Sequence, residues 1–263
     1  MTPTRRTILS ILLALSASGM ASGIAAAQTA PQPIRVLVPE LPVLGERGAD
    51  GEARGLVVEQ AQAILDRAGI RATVELLPVV RLYAELARER PPGGPKVYGM
   101  VAVPIRDPYR AIVPLALTMG VPLVAVARQG VTLAKPDDLR AVGPVAVTAT
   151  GTQALVPAIQ QYGITVQTVP STLNGLRMLA HGRVNAVMGI SSVIDVVARE
   201  NNLTDQLGDR VQVSAMEAWL SCDPATRDAP ETAILRDAAE ALYREGRLDA
   251  IARQHFQKAA TGS

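Results

Sequence analysis

Short β-branched runs alternate with helix-period stretches along most of the chain. Ile34 to Val38 reads as a buried strand, and Leu41 to Gly55, with Pro42 and four glycines, as a loop. Val57, Ala61, Ile64, Leu65 and Ala68 share one face of a 3.6-residue period, so a helix is predicted there, closed by Gly69. Ala72–Leu77 and Val97–Val103 are predicted strands, with a helix over Arg81–Arg90 between them, stopped by Pro91-Pro92-Gly93-Gly94-Pro95. A second set follows: strands over Val121–Ala127, Val142–Thr148, Ile164–Val169 and Val184–Met188, with helices over Thr152–Gln161, around Leu173–Ala180, and over Ser191–Glu200. His181-Gly182 suits a helix end, because a cation offsets the dipole and glycine suits the cap. Two helices close the chain, with faces Ile234/Ala238/Ala241/Leu242 and Leu248/Ile251/Ala252/Phe256, separated by Gly246. Strands alternating with helices predict parallel α/β sheets, and two such sets predict two lobes with a cleft between them.

The first 27 residues stand apart from this pattern. Arg5-Arg6, the apolar Ile8–Leu15 and the small residues ending Ala25-Ala26-Ala27 follow the order of a secretory signal with an A-x-A cleavage site. The paired arginines also fit a twin-arginine signal. The apolar run is too short for a membrane anchor. The rest carries 24 Lys+Arg against 24 Asp+Glu, so the basic balance belongs to the leader. The expected product is soluble and periplasmic, with no nucleic-acid partner: aromatics are only 3% of the chain, too few for base stacking. A single cysteine, Cys222, excludes an intrachain disulfide and a cysteine-cluster metal site. No metal, cofactor or catalytic residues are expected. His181 and His255 read as structural, and "VMGISSV" is not a nucleophile elbow.

Several segments, in order, carry a family resemblance: "DGEARGLVVEQAQAILDRAGI", "LLPVVRLYAEL", "VPIRDPYRAIVPLALTMGVPLVAVA", "LAKPDDLRAVGPVAVTATGT", "LRMLAHGRVNAVMGI" and "LRDAAEALYREGRLDAIARQHF". Together they resemble the periplasmic solute-binding proteins of ABC importers, amino-acid-binding type (extracellular solute-binding protein family 3), over residues 34–257. The resemblance implies an α/β, two-lobe periplasmic-binding-protein type II fold with a ligand cleft and two crossover strands near Thr118–Val121 and Gln212–Glu217. Lobe one would be residues 34–118 plus 217–263, and lobe two residues 121–212. It implies a monomeric receptor that closes on a small solute and delivers it to an ABC permease. A periplasmic lyase or dehydratase on the same fold, and a ligand-presenting partner of a sensor kinase, are the alternatives.

The resemblance places Arg110 where the family binds an α-carboxylate, which a guanidinium can meet through two parallel bonds. Arg81, at an expected helix start, faces either the cleft or solvent. Thr150, Gly151 and Thr152 lead into a helix whose free N–H groups suit an anion, and also suit an ordinary cap. Ser191 follows the fourth strand of the second set. Two departures are expected to matter. Ile190 stands where the family places an aspartate for the ligand's ammonium, and Asn185 where it often has aspartate. The cleft is thus expected to hold two arginines, helix-end donors and no acid partner, favouring a carboxylate over a zwitterion. Tyr83, Tyr98 and Tyr109 are candidate walls, Trp219 a candidate hinge lining, and Glu59 and Glu217 the acids available to an enzyme.

Overall fold

The computed structural model describes residues 33–91, 93–103 and 109–261, so the expected export signal lies outside the described residues. One eight-stranded sheet organises the remainder, in the order β4-β1-β5-β10-β6-β9-β7-β8. On one side stand β1 (Ile34–Pro39), β4 (Thr73–Leu77) and β5 (Lys96–Val103), mutually parallel. On the other stand β7 (Val145–Thr148), β8 (Val166–Val169) and β9 (Ala186–Ile190), also parallel. Two 16-residue strands, β6 (Val113–Arg128) and β10 (Leu207–Cys222), pair antiparallel along their whole length and join the two sets. A small hairpin, β2 (Glu46–Arg47) with β3 (Ala53–Arg54), sits in the loop after β1.

The α1 helix (Leu56–Ala68) buries Val57, Ala61, Ile64 and Leu65, the face its periodicity predicted. Gly69 caps it at φ 65°. Gly55 precedes it at φ 123°, with the Leu44 backbone so close that a Cβ would collide. The approach lets Leu56 and Val57 donate their N–H groups to the Val43 and Leu44 carbonyls. The start of α1 is thereby satisfied by the chain itself. α2 (Val79–Leu86) starts and ends earlier than the predicted Arg81–Arg90. Pro78 sets its start, and Leu82 and Leu86 are its fully buried residues.

The second set carries α3 (Leu139–Val142), α4 (Ala149–Tyr162), α5 (Thr172–Ala180) and α6 (Ser191–Glu200). Of the predicted strand Val142–Thr148 only Val142 falls in α3, and Gly143 and Pro144 intervene before β7 begins. At the end come α7 (Pro230–Arg244) and α8 (Arg247–Thr261). The core face of α7 is Leu235, Ala238, Ala239 and Leu242, and Ile234 is 48% exposed, one position off the predicted face.

The long strands are the main departure from the hydrophobic pattern. Pro114 and Pro122 argue against a continuous central strand, yet β6 runs through both. Its ladder with β9 covers only Leu123–Ala127, so before Leu123 one edge of β6 can take a missing N–H. Four apolar clusters flank the sheet. Two are built from β1, β4, β5, α1, α2, the early half of β6, the late half of β10, α7 and α8. Two are built from the late half of β6, the early half of β10 and the elements between them.

A chain of charges ties the first set together. Arg35 donates to Glu75 at 2.7 Å and to Glu85 at 3.2 Å. Arg90 donates to Glu85 at 2.8 Å and to Asp223 at 3.1 Å. The Arg35 hydrogen bond holds Glu75 below the ordinary carboxylate value of 4.5. Burial pushes Glu85 up, but the Arg35 and Arg90 guanidiniums outweigh it and the net direction is down. A carboxylate depressed in the folded state stabilises the fold above its unfolded pKa and loses that contribution as pH falls through the folded one. Stability is therefore expected to fall steadily as pH drops below about 4.5, read as a declining denaturation midpoint. An unchanged midpoint down to pH 3 would remove this network from the stability account.

Candidate functional site

Ligands of open α/β sheets bind beyond the carboxyl ends of the parallel strands. Here the strand register brings two such sets of ends together. Val103, the last residue of β5, pairs with Glu217, and Glu217 pairs with Gly120. Ile190, the last residue of β9, pairs with Leu123 on the same β6 strand. The carboxyl ends of the two parallel sets thus point toward one another across three residues of β6, about 10 Å along the strand. Register shifts in the β6–β10 ladder fall at Gln212/Ser214 and Ala218/Trp219, on either side of this midpoint. Such irregularities bend a strand locally.

On the first side, the end of β5 is fixed by Tyr83 of α2. Its hydroxyl donates to the Ala102 carbonyl at 2.9 Å and accepts from the Ala102 N–H at 3.0 Å. Burial pushes this phenol up to about 12, so it stays a neutral donor. The Tyr83 and Tyr109 rings stack at 5.4 Å, tilted by 43°. That contact holds Tyr109 against α2. Arg81, exposed in the first turn of α2, and Arg110, exposed beside Tyr109, therefore belong to the same end of the first set. Tyr98 is fully buried, with its hydroxyl on Thr232, and is packing rather than a wall. Glu40, one residue past β1, is exposed at the same end. Sequence reasoning passed over it, although its place after a strand was readable.

On the second side, α4 opens at Ala149, immediately after β7, rather than at Thr152. Thr150, Gly151 and Thr152 consequently lie in its first turn. The first four N–H groups of a helix have no intrahelical partner, so this turn keeps its value as a donor end. Ser191 opens α6, and its hydroxyl accepts from Arg210 at 2.6 Å. Arg210 also pairs with Asp195 through both terminal guanidinium nitrogens. Asp195 is thereby engaged on the second side.

The two expected departures have physical reasons. Ile190 packs against apolar clusters on both sides of the sheet, so an aspartate there would stand among hydrocarbon. Asn185 donates its amide to the Val142 and Gly143 carbonyls at 2.9 and 3.3 Å, which a carboxylate could not do. The midpoint of the ribbon does carry an acid. Glu217 is exposed at the ribbon midpoint and accepts the Trp219 indole N–H at 3.0 Å. An aromatic ring and a carboxylate side by side suit a cationic group.

The remaining candidates lie elsewhere. His255 meets Glu59 at 2.8 Å between α8 and α1. Cys222 is buried in the first core, and burial pushes its thiol up to about 12, so it is inert at neutral pH. Among the described residues no group of three or more metal-ligating side chains occurs, and no helix is long and apolar enough to cross a membrane.

No family model matches the sequence, and no curated protein does. The structure is similar to a histidine kinase sensor domain with similarity to periplasmic binding proteins, at 21% identity and TM-score 0.64, covering 85% of this chain and 95% of that one. It is similar to the GluR0 ligand-binding core in complex with L-glutamate, at 15% identity and TM-score 0.66, covering 87% and 99%. It is also similar to the ancestral amino-acid-binding protein AncCDT-1, a precursor of cyclohexadienyl dehydratase, at 14% identity and TM-score 0.61, covering 86% and 95%. The chain has the two-lobe periplasmic-binding-protein type II fold, as the sequence motifs implied.

Proposed function

We propose that this protein is an extracytoplasmic receptor for a small solute carrying a carboxylate, either a simple carboxylate or an amino-acid-like molecule. The observation that carries the reading is the convergence of two sets of strand ends on the middle of the β6–β10 ribbon. Lobe one is residues 34–118 plus 217–263, and lobe two residues 121–212. The lobes close on the ligand about Thr118–Val121 and Gln212–Glu217. Arg110 and Arg81 take the carboxylate from lobe one. The first turn of α4, with Thr150, Gly151 and Thr152, and Ser191 complete its shell from lobe two. Glu217 beside Trp219 admits a ligand with a positive group as well, which widens the anion-only expectation. The leader is cleaved, the mature protein is a periplasmic monomer, and it hands its ligand to an ABC permease. The similarity to a kinase sensor domain favours a second reading, in which the liganded protein is presented to a sensor instead.

The test is a thermal-shift screen of residues 28–263, pairing each amino acid with its deaminated acid. A ligand at 100 times its Kd stabilises by about 2.7 kcal/mol, or roughly 5–11 °C for a chain of this size. The ligand is expected back unchanged after prolonged incubation. Consumption of the compound would make the protein an enzyme on this fold. Silence from the whole panel would overturn the carboxylate reading.

A further inference from the structure

We propose that the groove between α5 and the open edge of β8 is a second binding site, one for a phosphate-bearing anion. The proposal does not depend on the cleft. β8 is the outermost strand of the sheet, separated from β6 by β7 and β9. Asn174, Arg177, Met178 and His181 lie at i, i+3, i+4 and i+7, one stripe of α5 and its cap. With Thr168–Pro170 and Arg183 they line a concavity of about 430 Å³.

The chemistry of the lining is one-sided. Among the described residues, the side chains of Arg177, His181 and Arg183 have no hydrogen-bond or ion-pair partner. The Ser171 hydroxyl donates to Asn174 Oδ1 at 2.6 Å, which leaves the Asn174 NH₂ as a donor. Thr168 adds a hydroxyl. No lining residue is acidic. The bias extends beyond the groove: from residue 139 to 194 the sequence has no Asp or Glu, but holds Arg140, Arg177 and Arg183. Cations at the end of α5 offset its carbonyls, which accounts for Arg177 and His181. It accounts neither for Arg183 beyond the helix nor for the missing carboxylates. Two arginine forks with amide and hydroxyl donors match an acceptor-only ligand of more than one negative charge. Phosphate presents that geometry, free in solution or on a lipid headgroup.

The chain has two histidines, which gives a clean readout. Inorganic diphosphate is titrated at constant ionic strength while the imidazole NMR signals are followed. His181 is expected to shift saturably, with a Kd at or below about 1 mM. His255, on Glu59 between α1 and α8, should stay still and also report that the fold is intact. Arg177→Ala and Arg183→Ala should each weaken binding about tenfold, the effect of one lost charge-assisted contact. In a parallel arm the protein is sedimented with phosphatidylglycerol vesicles. Co-sedimentation lost in both arginine variants supports the site with the headgroup as source, and diphosphate binding without it supports the site with the free anion. A silent His181, equal drift of both histidines, or unweakened variants would overturn the proposal.

Discussion

Asp223→Ala lowers stability by about 3–5 kcal/mol, the usual consequence of leaving a buried charge without its partner. Asp223 is completely buried and Arg90 is 7% exposed in its side chain. The carboxylate has two duties. It accepts from Arg90 at 3.1 Å, and it accepts the Thr226 N–H at 2.9 Å, capping the turn that follows β10. Removing it strands the Arg90 guanidinium, although Glu85 still holds its other nitrogen at 2.8 Å. The expected fall in Tm is roughly 6–20 °C for a chain of this length. Asp223→Asn keeps the shape and the cap but not the charge, and should fall between the two. A loss below about 1 kcal/mol in Asp223→Ala would show that water enters and solvates Arg90.

Arg110→Ala is expected to weaken the ligand found by the thermal screen at least about 100-fold, measured by calorimetry. Two charge-assisted bonds at about 1.5–3 kcal/mol each set the scale, and 1.4 kcal/mol is a factor of ten. Arg110 is exposed, and an exposed charge contact contributes at most about 1 kcal/mol, so the unliganded Tm should fall by no more than about 4 °C. Arg110→Lys should recover only part of the affinity, since a point charge cannot reproduce a planar fork. An affinity within threefold of the parent would transfer the carboxylate to Arg81 or to the first turn of α4, and would undo the family correspondence on which Arg110 was chosen.

The elements were legible where burial is one-sided. α1 and α6 stand almost where periodicity placed them, because a helix with one wet face leaves a 3.6-residue stripe in the sequence. The ribbon was not. Its strands lie between other strands and change partners midway, and β6 carries two prolines, so no single pattern marks either strand over its full length. Only a short strand over Val121–Ala127 and a crossover near Gln212–Glu217 could be read. The candidate site followed the same division. Arg81, Arg110 and Ser191 could be named from motifs, whereas Glu40 carried no motif and Glu217 stood out only by its register.

The sequence by itself determined the α/β class, the two sets of elements, the export leader as an expectation, and the absence of an intrachain disulfide, since each follows from residue type and local period. Only the tertiary structure decided that β5 and β9 end three residues apart on one ribbon, that Ile190 is an apolar junction, and that Asp195 is engaged by Arg210. Those facts depend on strand register and on partners far apart in the chain, and no local pattern encodes which distant residue a strand end will meet.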